Sequence, residues 1–133
     1  MIDTAQLVHE FLTVSGTGLY TLCADRIWCP QAKAGWTNTA AAIVFHPSSE
    51  VPRIGATDVI RSTFVFKCYG GSDRFTDARA VYRALADRLH DVSTQTATEG
   101  NIIIAKQVTA NQLPADPDTG YPAHMAIFQI TME

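Results

Sequence analysis

Ile60-Arg61-Ser62-Thr63-Phe64-Val65-Phe66-Lys67-Cys68-Tyr69, followed by Gly70-Gly71-Ser72-Asp73, is the stretch on which the fold turns. In an extended chain successive side chains point to opposite faces. Ile60, Ser62, Phe64, Phe66 and Cys68 therefore share one side, and Arg61, Thr63, Val65, Lys67 and Tyr69 share the other. The first set reads as a core face; the second meets water or a partner. The two glycines end the strand, and Ser72 or Asp73 is placed to cap a helix. That helix is expected to run from Phe75 to Val92, with Phe75, Ala78, Val81, Tyr82, Leu85 and Leu89 on its apolar side.

Upstream, Asp3 caps a first helix, with Gln6 three residues on and Leu7, Val8, Phe11 and Leu12 on one face. Ser15-Gly16-Thr17-Gly18 is read as its end. A short strand from Arg26 to Cys29 stops at Pro30, and Gln31 to Thr39 forms a polar loop. Ala40 to His46 reads as a second strand, and Pro47 to Asp58 as a long connection. Downstream, Asn101 to Thr109 and Ala123 to Met132 read as strands, the last with Ala126, Phe128, Ile130 and Met132 on one face. Asn111 to Tyr121, rich in Pro and Asp, joins them. The expectation is one α+β domain over residues 1–133: a mixed five-stranded sheet with two helices packed on one face, in the order α-β-β-β-α-β-β. Two helices cannot cover both faces of five strands. The remaining face or an edge must be polar, protected or paired with another molecule.

The 133 residues, 47% hydrophobic and 17% charged, suffice for one domain with a real core. The net charge is −3, and the ten Lys and Arg are spread from Arg26 to Lys106, which argues against a nucleic-acid groove. Cys23, Cys29 and Cys68 are odd in number and widely spaced, pointing to reduced thiols and a cytoplasmic setting. Neither a signal peptide nor an apolar run of about 20 residues is visible, so no membrane partner is expected.

Motifs that could carry chemistry are incomplete. Asp118-Thr119-Gly120 has the tripeptide of aspartic proteases, but Leu113-Pro114-Ala115-Asp116-Pro117 before it cannot form the strand that would aim it, so it reads as a turn. Asp116 and Asp118 lack the glycine and glutamate of a calcium loop. His9-Glu10 begins a zinc-helix signature, yet Thr13 stands where the second histidine belongs. A transition-metal site would need the fold to gather Cys29, His46 or Cys68. Gly70-Gly71-Ser72 before a helix could cradle an anion, but no lysine follows and Asp73 would repel phosphate. No catalytic, cofactor or metal residue is therefore assigned, and the chain is expected not to be an enzyme.

In order and spacing the chain resembles the tail terminator (tail completion) proteins of long-tailed bacteriophages and related particles. The resemblance spans nearly the whole chain. It rests on the N-terminal amphipathic helix, Asp25-Arg26-Ile27-Trp28 with Pro30, and the strand Ala40 to Phe45. Phe66-Lys67-Cys68-Tyr69-Gly70, the helix from Ala78 to Leu89, Asp116-Pro117-Asp118-Thr119-Gly120 and the closing Phe128-Gln129-Ile130 complete it. No single one of these motifs is specific. The resemblance implies a hexameric ring at the head-proximal end of the tail. The ring would cap the tail tube, end its polymerisation and meet the head connector or stopper protein. It also implies assembly in the host cytoplasm and a lumen through which genome DNA passes without specific binding; copies at −3 each suit a wall that does not grip a polyanion. Trp36, Arg53 and Tyr121 are the expected contact anchors, since Trp, Tyr and Arg dominate interface hot spots, and Arg79 and Arg83 mark the helix half of a head-to-tail contact. The alternatives are another neck or head-completion (stopper) protein, or a small-molecule-binding α+β dimer with its pocket between helix and sheet.

Overall fold

A computed structural model describes residues 3–51, 59–90, 95–96 and 100–133. In chain order the elements are α1 (Thr4–Leu12), α2 (Gly18–Cys23), β1 (Ile27–Trp28), β2 (Ala42–Val51), β3 (Ile60–Tyr69), α3 (Phe75–His90), β4 (Gln95–Thr96), β5 (Asn101–Leu113) and β6 (Ala123–Met132). The strands form one sheet in the order β1-β2-β3-β6-β5-β4. Among the described residues only β1 and β2 pair in parallel; every other described neighbour is antiparallel. The fold is α+β with a mixed sheet, as the patterning predicts. Among the described residues the sheet has six strands rather than five, because Gln95 and Thr96 pair with Ile102 and Asn101.

The alternation read in β3 is the alternation of burial. Ile60, Ser62, Phe64, Phe66 and Cys68 are all enclosed. Their partners across the ladders include Ile43 and Phe45 of β2, and Ala126, Phe128, Ile130 and Met132 of β6. Phe45, Phe64, Phe66 and Phe128 pack ring against ring, with centroids 5.6 to 6.3 Å apart. All three helices close over this face through Leu7, Val8, Phe11 and Leu12, Leu19 and Cys23, and Val81, Leu85 and Leu89. Arg88 fastens α3 to α1: its guanidinium lies 3.7 Å from the Phe11 ring centroid and donates to the Phe11 carbonyl at 3.0 and 3.2 Å.

Several expectations need correction. A third helix, α2, stands where Gly18 was read as a stop: Thr17 Oγ1 accepts the Tyr20 N–H at 3.1 Å and starts a new turn. Asp3 caps α1 by accepting the Gln6 N–H, but the Gln6 side chain donates to Glu10 instead of closing a capping box. Strand β2 continues through Pro47 to Val51, so much of the expected long connection is ladder; residues 52–58 lie outside the described ones. A register shift at Pro47/Ser49 accommodates the proline. Strand β5 likewise runs on to Leu113. Phe75, placed by spacing on the apolar face of α3, is 51% exposed. The helix ends at His90, and the expected end at Val92 lies outside the described residues.

Candidate assembly surface

Among the described residues, the face of the sheet away from the helices is covered over only part of its length. At the β1 end, residues 28–36 and 113–121 fold across it and bury Val44, Tyr69 and Ala123 under Trp28, Ala32, Trp36, Leu113 and Tyr121. Trp36 is the hub: its ring lies 5.9 Å from Trp28, 5.1 Å from Tyr69 and 5.7 Å from Tyr121, and its Nε1 donates to the Ala40 carbonyl. Farther along the same face Thr63, Val65, Ile127, Gln129 and Thr131 are half-buried, and Ile104 is exposed. That part of the face has no cover among the described residues.

Beneath the cover lies a charged network. Asp116 is 1% exposed. Its carboxylate accepts from Lys67 Nζ at 2.8 Å, Tyr69 OH at 2.5 Å and Thr119 Oγ1 at 3.1 Å. Lys67 also donates to Asp118 at 2.7 Å, and the Asp118 carboxylate is 78% exposed. Backbone bonds from Asp116 N to the Tyr121 carbonyl and from Gly120 N to the Asp116 carbonyl close the loop on itself. Gly120, at φ +76°, supplies the left-handed turn this closure needs. Burial alone would raise the Asp116 pKa, but the bonds from Lys67 and Tyr69 outweigh it and hold the acid below the ordinary carboxylate range. Burial opposes the charge on Lys67, yet its two carboxylate partners raise its pKa. Burial and Asp116 together push the Tyr69 phenol up. These groups are charged where charge is satisfied and neutral where it is not, so the network works as a clamp on residues 114–122.

The Asp118-Thr119-Gly120 tripeptide is thus a turn whose threonine bonds back to Asp116. Cys68 lies on the helix side of the sheet and His46, whose partner is Val65, on the other, so those two cannot share a metal. Among the described residues no three His, Cys, Asp or Glu side chains converge as metal ligands. Cys23 is enclosed in the core, and burial pushes its thiol up to about 12.

Of the expected contact residues, Trp36 and Tyr121 sit together in the aromatic cover, and much of each ring is used within the chain. Arg79 and Arg83 lie exposed on α3, across the sheet from that cover. They line a groove of about 880 Å³ between α2 and α3, with Leu22, Ala80 and Ala84. Arg53 lies outside the described residues. Sequence reading missed the clamp of Lys67, Tyr69 and Asp116. The available signal was the side of β3 shared by Lys67 and Tyr69, where a cation and a phenol stand side by side opposite the core.

No protein-family model matches the chain, and no curated protein does. Among solved structures it is similar to a chain of the virion of a native gene transfer agent (GTA) particle. The TM-score is 0.67 and the identity 14%, over 95% of this chain and 91% of that one.

Proposed function

We propose that this chain is a structural protein of a phage-like particle and that it acts as a tail terminator. Copies would join head to tail in a hexameric ring that caps the tail tube, ends its growth and presents a surface to the connector or stopper protein. The reading places it in the virion, at the head-proximal end of the tail, with genome DNA passing through the ring, and it assigns no catalytic role. The observation that carries it is the likeness to a virion chain along nearly the whole length of both molecules. The order of elements that resembles tail terminators supports it. So does a sheet whose second face, among the described residues, is sheltered at one end and without a covering layer at the other, a surface that a neighbouring subunit would complete. Solution mass of the purified chain, with and without polymerised tube protein, tests the reading, together with images of isolated tails. A mass near six chains and a ring at one tail end are expected. A chain that stays single under both conditions and never decorates tubes refutes it.

A further inference from the structure

We infer that, in the self-assembly proposed above and resting on it, the tip of the 114–120 loop of one copy seats in the groove between α2 and α3 of the next, where Asp118 meets Arg79 and Arg83. Three observations lead there. The groove has an apolar floor, with Leu22 39% exposed beside Ala80 and Ala84, and a basic rim. Neither Arg79 nor Arg83 forms an ion pair with a described residue. Asp87 also lines the groove, which leaves it with one net positive charge.

The loop has the matching character. Pro114, Ala115, Pro117 and Asp118 are exposed at its tip, apolar and proline-bearing with one carboxylate. With Lys67 and Asp116 at its base, it carries one net negative charge. It is also rigid in advance. A hairpin between β5 and β6 needs only two to five residues, whereas this connection runs from 114 to 122 and is clamped through the enclosed Asp116. A tip already ordered loses little freedom on docking, so even a small contact area yields useful affinity.

The two halves cannot meet within one molecule. Asp118 bonds to Lys67, whose side chain leaves β3 opposite the core-facing Phe66 and Cys68, while α3 packs on the core side. A two-fold dimer needs its contact on one continuous patch, so halves on opposite faces of a sheet imply a head-to-tail contact, the kind that closes into rings.

The test uses the whole chain and three variants: Asp118→Arg, the double change Arg79→Glu with Arg83→Glu, and Ala80→Trp, which fills the groove at an exposed helix position. Mass is followed across a concentration series. Each variant alone is expected to need more than about tenfold higher concentration than wild type to assemble, the charge variants because they juxtapose like charges and Ala80→Trp because its ring occupies the groove. An equal mixture of the Asp118→Arg chain and the double-Glu chain is expected to assemble like wild type, because every loop then meets a groove of opposite sign. That rescue also shows both chains to be folded. Wild-type midpoints in all three variants, or failure of the mixture, overturn this contact and leave the ring standing. A wild-type chain that never assembles, with tubes or without, overturns the ring reading and the contact with it.

Discussion

Asp116 shows how much one side chain can decide. A carboxylate removed from water costs several kcal/mol unless its lone pairs are filled, and here Lys67, Tyr69 and Thr119 fill them. Asp116→Asn keeps an acceptor but removes the charge that holds Lys67, so it should lower unfolding free energy by about 2 kcal/mol in urea titrations. The sign with pH follows from the lowered pKa. The folded chain releases the Asp116 proton more readily than the unfolded chain, so its stabilisation is full above the ordinary carboxylate range near pH 4. It is lost as the pH falls through the lowered value. Wild type and Asp116→Asn should therefore differ at pH 6 and converge in strong acid; a constant gap would show that Asp116 is not the group responsible. Nothing local announces this residue. Asp116 stands between Ala115 and Pro117 in a stretch that reads as solvent loop, and its burial comes from Tyr69, 47 positions earlier in the chain. Lys67 and Tyr69 were visible as the outward side of a strand; what covers them was not.

At the level of elements, the joint between β3 and α3 leaves no room for a side chain. A Cβ at Gly70 would run into the backbone of Asp77 and Ala78, and one at Gly71 would come within 2.8 Å of Ala41 N. Gly70→Ala should cost about 3 kcal/mol or more, read as a lower thermal midpoint, because strand and helix must part to admit it. The sheet edges are managed differently. Among the described residues β1 pairs with β2 only at Ile43 and Val44, and β4 with β5 only at Asn101 and Ile102, so long stretches of both strands have no described strand beside them. Each carries devices against unwanted pairing: Pro47 with its irregularity in β2, and two irregularities and exposed Lys106 in β5. Lys106→Ile should leave the unfolding free energy within about 0.5 kcal/mol of wild type while raising light scattering on concentration. Unchanged scattering would mean that the irregularities alone suffice. These edges also explain which elements the sequence disclosed. β3 and β6, flanked on both sides, alternate cleanly, and their limits are legible to the residue. β2 and β5 look shorter than they are because Pro47, Asn111 and Gln112 resemble breakers, and an edge strand tolerates such residues. α2 was hidden by its size, with only Leu19 and Cys23 buried in six residues.

For the whole molecule, the patterning correctly foretold a sheet with more surface than its helices can shelter. The loops that roof part of the second face were not foreseeable, since Trp36 and Tyr121 meet only once the sheet has formed. β6 lies between β3 and β5 at the centre of the sheet, yet it is made after the other five described strands of that sheet. A ribosome that stalls before Ala123 therefore releases a chain lacking its keystone, with the phenylalanines of β3 deprived of a neighbour. A stop introduced after Pro122 should yield a polypeptide that shows no cooperative melting and is quickly degraded. Unfinished copies would be discarded before they accumulate, so quality control follows from the order of synthesis.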